Sequence, residues 1–237
     1  KPNAMTNIIS GDIKKFVGKE VQIKNKLQTN NVNLLEVVEG TDYVGIEFPN
    51  TYADKNLLSL YDLINSTLYK EYDKRYTIPI AYGEKTNGTP HILIGGATGS
   101  GKSVLLNTII TNLLLSFSPK DLELYLIDPK LVEFAIFEDL PYLGMKISKT
   151  QEEANQILLQ LIDMMTSRYK SFEAHKVRNI NSYNMKNPEN PLKRIVCIID
   201  ELADIMESAI GKEFEANLNN ILRLSRAAGI FIIFATQ

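Results

Sequence analysis

The sequence is poor in the residues that build covalent cross-links and metal sites. It has one cysteine, Cys197, and two histidines, His91 and His175, among 237 residues. A single cysteine excludes an internal disulfide and any zinc site built on several thiolates, and it fits a reducing compartment best. The histidines lie at the start of a strand pattern and at the end of a helix pattern, which gives little support to a histidine-based metal site.

The sequence also lacks a long apolar run and a strong excess of one charge. No stretch of about 18 apolar residues occurs, so no membrane span is predicted, and no signal peptide opens the chain. We therefore expect a cytoplasmic location, with any membrane association supplied by regions or partners outside this chain. The net charge of −2 excludes a uniformly basic DNA binder but leaves room for a local basic surface.

The pattern of apolar and polar residues in the sequence changes near residue 77. Before it, Val21–Leu27 and Tyr43–Phe48 alternate partly between apolar and polar residues, which predicts two half-buried strands. Leu57–Leu68 has apolar residues at nearly helical spacing. We interpret residues 1–77 as a small α+β accessory subdomain.

Residues 78–237 alternate short apolar runs with long helical patterns. The predicted strands are His91–Gly96, Leu122–Asp128, Arg194–Asp200 and Gly229–Gln237. The predicted helices are Lys102–Ser116, Gln151–Ala174 and Phe214–Ala228, the last of them ended by Gly229. Strands that are apolar throughout and alternate with helices predict an α/β domain around a parallel sheet.

A glycine-rich segment between the first of these strands and the first helix fits the phosphate-binding pattern G-x-x-x-x-G-K-[ST] in full. Backbone N–H groups of such a loop surround phosphate oxygens at a helix N-terminus. Lys102 is predicted to reach the β- and γ-phosphates of ATP, and the Ser103 hydroxyl to ligate Mg²⁺. The candidate nucleotide-binding residues are Gly96, Ala97, Thr98, Gly99, Ser100, Gly101, Lys102, Ser103 and Val104.

Two acids and an amide follow the other predicted strands. Asp200 and Glu201 end an apolar run, where carboxylates point into the ligand crevice of a parallel sheet. Asp200 is predicted to join Ser103 in holding Mg²⁺, and Glu201 to activate water as general base. Gln237 is placed to contact both the γ-phosphate and the attacking water. The predicted catalytic residues are thus Lys102, Glu201 and Gln237, and the alternative is that the acids are solvated residues at a helix start.

The chain resembles the motor domain of the FtsK/SpoIIIE family of DNA translocases over residues 78–237. The matching stretches are His91–Val104, Ile127–Phe134, Arg168–Lys170, Val177–Asn184, Ile199–Met206 and Arg226–Gln237. The resemblance implies a RecA-like P-loop NTPase core, preceded here by the small α+β subdomain. It also implies a homo-oligomeric ring, hexameric when full length, that surrounds double-stranded DNA and hydrolyses ATP at subunit interfaces. Family motors continue beyond the strand that ends at Gln237, so the C-terminal part of the motor, with its arginine finger, is expected to be missing.

Residues 168–186 form a basic segment with five Lys or Arg residues and one acid, Glu173. Such a segment can line a DNA channel through phosphate contacts, or it can be a solvated helix-to-loop face. Lys176, Arg178 and Asn179 are the candidate DNA contacts. Asp128 and Lys130 are interpreted either as part of the nucleotide site or of a subunit contact, or as a structural turn after a strand.

The predicted function is ATP-dependent translocation of double-stranded DNA, with ATP and Mg²⁺ as cofactors. An ATPase of a protein secretion system, from the same superfamily, is the alternative. A non-hydrolysing ATP-binding scaffold is disfavoured because it has no need of Glu201. A small-molecule kinase is disfavoured because no arginine-rich substrate lid is visible in the sequence.

Overall fold

The structure is a computed structural model that describes residues 4–9, 19–27, 32–35, 44–49, 65, 79–81, 84–85, 90–97 and 99–237. The chain divides into two compact units, Lys1–Ser66 and Thr67–Gln237. The predicted boundary at residue 77 lies inside the second unit, and the accessory role of residues 1–77 stays a prediction.

The first unit contains a three-stranded antiparallel sheet. Its elements are β1 (Ala4–Ile9), α1 (Glu20–Leu27), β2 (Asn33–Leu35) and β3 (Val44–Pro49). The strand order is β1-β3-β2, with Met5 opposite Phe48 and Leu34 opposite Ile46. The central strand β3 confirms the strand predicted at Tyr43–Phe48.

The strand predicted at Val21–Leu27 is wrong, because this segment is helix α1. The alternation of Val21 and Ile23 misled the prediction, since Ile23 and Leu27 are also spaced by one helical turn. Lys24 and Lys26 lie in the last turn, where a positive charge stabilises a helix. The helix predicted at Leu57–Leu68 lies outside the described residues, apart from Asn65.

The second unit alternates strands and helices. Its elements in chain order are β4 (Pro79–Ala81), β5 (Glu84–Lys85), β6 (His91–Gly95), α2 (Lys102–Ser116), β7 (Leu122–Ile127), α3 (Gln151–Ala174), α4 (Ile180–Lys186), β8 (Arg194–Ile199), α5 (Leu202–Met206), α6 (Gly211–Ala228) and β9 (Ile230–Thr236). A short 3₁₀ turn, Ala135–Phe137, follows β7. The four strands and the three helices predicted for this region are confirmed, with α6 starting three residues earlier than expected.

The main sheet has four parallel strands in the order β6-β9-β8-β7. Strands β4 and β5 form a separate antiparallel pair. The predicted α/β fold class with a parallel sheet is therefore confirmed. Since all four strands run the same way, their carboxyl ends lie along one edge of the sheet, where open α/β sheets bind ligands.

Helices cover both faces of the main sheet. On one face, α2 packs through residues such as Leu106 and Ile110 against Leu124 and Ile198. On the other face, α3 and α6 pack against Tyr125 and the alternate residues of β8 and β9. Consecutive strand residues point to opposite faces, so burial on both faces explains why the strands read as continuous apolar runs.

Among the described residues, no helix is long and apolar enough to cross a membrane.

Candidate functional site

The phosphate-loop sequence forms a tight turn between β6 and α2. The Gly96 N–H donates to Thr236 O at 3.2 Å, which ties the start of the loop to the end of β9, and the Ser100 N–H donates to Ala97 O at 3.0 Å. Gly99 and Gly101 have φ of 77° and 95°, a left-handed conformation that favours glycine. Gly99 and Gly101 are thus favoured by the backbone path of the loop.

The loop leaves the N-terminus of α2 open. Gly101 caps this helix without a side-chain hydrogen bond, and no acid lies in its first turn. Unpaired N–H groups and the helix dipole therefore give this end of α2 the character of an anion site. Thr98, one of the predicted nucleotide-binding residues, lies outside the described residues, and Val104 is 70% exposed in the first turn of α2.

Lys102 lies between the two acids that follow β8. Its Nζ is 3.1 Å from Asp200 Oδ1 and 3.1 Å from Glu201 Oε2, and all three side chains are almost buried. Burial lowers the pKa of Lys102, but the hydrogen bonds and charges of Asp200 and Glu201 outweigh burial and hold this pKa above its usual value. The structure therefore brings together the lysine and both acids that the sequence singled out.

Glu201 is held by donors from two directions. Gln237 donates to its carboxylate through Nε2 at 2.8 Å and through its backbone N–H at 3.2 Å, while Lys102 donates at 3.1 Å. Burial raises the pKa of Glu201, but these donors outweigh burial and lower it. Glu201 also has a left-handed φ of 52°, a strain of roughly 1–3 kcal/mol that proteins concentrate at functional sites.

The two predicted magnesium ligands have different partners. Burial raises the pKa of Asp200, against the opposing effect of its ion pair with Lys102. The hydroxyl of Ser103 donates to Glu133 Oε1 at 2.6 Å. In the part of the chain that the structure describes, no cluster of three or more His, Cys, Asp or Glu side chains is arranged to hold a metal ion.

The loop after β7 contributes residues to the same site. Asp128 is fully buried, and its Oδ2 accepts the N–H groups of Glu133 at 2.9 Å and Phe134 at 3.0 Å, as a structural turn requires. Lys130 lies 2.8 Å from Asp204 and 3.9 Å from Glu201, which places it in the site. The structure therefore supports the turn interpretation for Asp128, and a role of Lys130 in the nucleotide site stays a prediction.

Sequence reasoning assigned no role to Glu133, although its carboxylate reaches the phosphate-loop serine. A signal was available, because Glu133 lies in a short loop after a strand whose carboxyl end meets the same sheet edge as the phosphate loop. The sequence did not show which of the polar residues in that loop would turn inwards.

The candidate DNA contacts lie between α3 and α4. Lys176 and Arg178 are exposed. Asn179 caps α4, since its Oδ1 accepts the Ser182 N–H at 2.9 Å. The role of these three residues in DNA binding stays a prediction, and Asn179 has a structural task as well.

Arg168 corrects the interpretation of the basic segment as a single charged face. This side chain is 6% exposed and donates to Ala228 O at 2.6 Å and to Lys193 O at 2.8 Å. Burial lowers its pKa to about 10, against the opposing charge of Glu123. Arg168 therefore stabilises the end of α6 and the start of β8 instead of presenting its charge to a ligand.

Comparison with known proteins confirms the resemblance to the FtsK/SpoIIIE family. A family model described as FtsK/SpoIIIE matches residues 73–237. The DNA translocase FtsK of Haemophilus influenzae is 33% identical over 253 aligned residues, which cover 92% of this chain and 47% of that protein. The chain spans 47% of the length of this relative and 25% of the length of the DNA translocase FtsK of Campylobacter jejuni.

Solved structures share the fold. The pCW3 conjugation coupling protein TcpA, in its monomer form with ATPγS, is 26% identical with a TM-score of 0.61, covering 99% of this chain and 67% of that one. The cytoplasmic domain of the Thermomonospora curvata type VII secretion ATPase EccC is 24% identical with a TM-score of 0.59, covering 76% of this chain and 23% of that one. The second likeness is one of fold alone.

Proposed function

Because the chain belongs to the FtsK/SpoIIIE family, we propose that it is the ATP-hydrolysing motor of a translocase for double-stranded DNA. The observation that carries the proposal is the convergence of Lys102, Asp200, Glu201 and Gln237 at the carboxyl edge of the parallel sheet. The curated relative is a DNA translocase by name, and the neighbour TcpA is a conjugation coupling protein with ATPγS. Both agree with a motor that acts on DNA.

The phosphates of ATP bind at the open N-terminus of α2. Backbone N–H groups of the loop from Gly96 to Ser103 surround the phosphate oxygens, and Lys102 turns from its two carboxylate partners to the β- and γ-phosphates. Asp200 and Glu201 are thereby freed from their shared cation when ATP binds. Nucleotide binding therefore changes the ion-pair partners of both acids.

Ser103 and Asp200 are the residues of this chain that would hold Mg²⁺. A hydroxyl and a buried carboxylate are oxygen ligands of the kind that this ion prefers, and in phosphoryl-transfer sites the ion takes few protein ligands because phosphate and water supply the rest. When bound, the ion neutralises charge on the phosphates.

Hydrolysis then requires a base and a group that orients water. Glu201 takes the proton of the attacking water. The departure of Lys102 towards the phosphates removes one of the donors that lower the pKa of Glu201, and this makes the carboxylate a better base. Gln237 already donates to Glu201 through Nε2, so its amide lies where it can orient the same water. Asp200 would stay with Ser103 as a ligand of Mg²⁺.

The assembled motor is a homo-oligomeric ring, hexameric in the full-length protein, with duplex DNA in its channel. ATP lies at the interface between subunits, where a neighbouring subunit supplies an arginine finger. Lys176, Arg178 and Asn179 contact DNA phosphates. The finger matters because such a residue contributes roughly 10³–10⁵-fold in rate, so high activity depends on assembly.

The test is ATP hydrolysis with and without long duplex DNA, measured on this chain and on a version extended beyond Gln237. We expect DNA to stimulate hydrolysis by the extended protein. Glu201→Gln is expected to lower kcat by about 10²–10⁴-fold, the usual contribution of a general base, while ATP still binds. Glu207→Gln, a change at an exposed acid at the C-terminus of α5, is the matched control and should keep full activity.

The alternative is an ATPase of a protein secretion system, since EccC has the same fold. Hydrolysis that is lost in Glu201→Gln but indifferent to DNA would favour this alternative and contradict the DNA motor. Equal activity of Glu201→Gln and the wild type would contradict both, because each needs the same base.

A further inference from the structure

We infer that Glu133 positions the magnesium ligand Ser103, a role that rests on the proposed Mg·ATP function. The hydroxyl of Ser103 donates to Glu133 Oε1 at 2.6 Å, a short and charge-assisted hydrogen bond. Glu133 itself contacts no metal in this scheme. It acts through the serine, from the loop that follows β7.

A serine hydroxyl has one proton to donate and two lone pairs that accept. When the proton points at Glu133, the lone pairs are directed away from that carboxylate and are available to a cation. The negative charge of Glu133 also polarises the O–H bond and makes the oxygen a better ligand. Residues that hydrogen-bond to metal ligands fix their orientation in this way, and replacing such a residue typically costs about 10–100-fold in metal affinity.

Glu133 is held in place by its own loop. Asp128, which is fully buried, accepts the backbone N–H of Glu133 at 2.9 Å and that of Phe134 at 3.0 Å. The Phe134 side chain is fully buried in the core beneath α2. Leu131 has a left-handed φ of 54°, a strained conformation that the rest of the loop must stabilise. The loop therefore fixes the backbone from which the Glu133 carboxylate reaches the serine.

Before ATP draws Lys102 away, the other acids of the site have partners of their own. Asp200, the expected partner of a phosphate-loop serine, is 3.1 Å from Lys102 instead, and Glu201 is occupied by Lys102 and Gln237. Within the described residues, the carboxylate that accepts from the Ser103 hydroxyl lies in the loop after β7 and not in the acidic pair that follows β8. One loop thus orients Ser103 through Glu133 and approaches Glu201 through Lys130.

The test is the magnesium dependence of ATPγS binding, measured by titration calorimetry first in EDTA and then across a series of MgCl₂ concentrations. For Glu133→Ala we expect the MgCl₂ concentration at half-maximal effect to rise about tenfold, the lower end of the usual range, with the affinity in EDTA unchanged within about twofold. Glu133→Gln, which keeps the side-chain volume, should shift in the same direction by less. Glu189→Ala, at an exposed acid, is the matched control.

A double variant tests whether Glu133 acts through the serine. Ser103→Ala alone should raise the magnesium requirement, and adding Glu133→Ala to it should raise it no further, since both changes remove one interaction. A magnesium requirement of Glu133→Ala and Glu133→Gln equal to that of Glu189→Ala would overturn the inference. A lower requirement would also overturn it, because the carboxylate would then compete with the ion. If the wild type binds no ATPγS at any magnesium concentration, the proposed function itself fails, and that outcome is distinct from the other two.

Discussion

At the scale of single residues, the site depends on a few ion pairs between groups far apart in the sequence. Lys102 and Glu201 are almost a hundred residues apart in the chain and 3.1 Å apart in space. Both were predicted from sequence because each lies in a motif whose chemistry is fixed by phosphate and water. Glu133 and Arg168 were not, since neither the direction of a loop side chain nor the burial of an arginine is visible in residue type alone.

Arg168 gives a prediction about stability. Arg168→Met would leave Ala228 O in a buried place and Lys193 O in a partly buried one without their donor. Each unsatisfied buried acceptor costs about 1–3 kcal/mol, so we expect the free energy of unfolding to fall by about 2–4 kcal/mol in urea denaturation. Lys170→Met, at an exposed cation two residues further along α3, should change it by less than about 0.5 kcal/mol.

The same pair of variants separates the two interpretations of Arg168. If Arg168→Met unfolds at the same urea concentration as Lys170→Met, the buried hydrogen bonds do not stabilise the fold, and a functional role for this charge must be reconsidered.

At the scale of elements, the strands and helices of the second unit were predictable because their burial on two faces gives long, consistent apolar patterns. The strands and helices of the first unit were less predictable. Helix α1 is eight residues long. Over so short a segment, the spacing of the apolar residues fits both a strand and a helix, so periodicity could not decide between the two. The loop after β7 has no periodicity at all, and its path follows from the buried Asp128 carboxylate.

The end of α6 provides the prediction at this scale. Gly229 caps α6 with a φ of 74°, and a Cβ at this position would meet Ile180 Cδ1 at 2.6 Å. Gly229→Ala therefore combines a left-handed alanine with a clash against a buried side chain, and we expect a loss of about 1–3 kcal/mol in the free energy of unfolding. Gly95→Ala is the matched control, because nothing lies within 4 Å of its added Cβ. Equal stability of the two variants in urea would contradict this account.

At the scale of the whole second unit, the order β6-β9-β8-β7 collects the phosphate loop, the loop of Glu133, the acidic pair and Gln237 at one edge of the sheet. The parallel direction of the strands was predictable from their apolar sequences, and with it the edge at which the site would form. The choice of hydrogen-bond partners within that edge was not predictable, because residue type alone does not say which acid accepts from Lys102 and which accepts from Ser103.

The proposed DNA motor makes a prediction about salt that depends on exposed charge. Lys176 and Arg178 are exposed, and each phosphate that a protein neutralises adds about 0.9 to the slope of log affinity against log salt. We expect Arg178→Ala and Lys176→Ala each to reduce that slope by about one in duplex-DNA binding titrations, with little dependence on DNA sequence. Lys212→Ala, at an exposed lysine on α6, is the matched control and should leave the slope unchanged. An unchanged slope in Arg178→Ala and Lys176→Ala would mean that the segment is a solvated face, and that the contacts with DNA lie elsewhere on the motor.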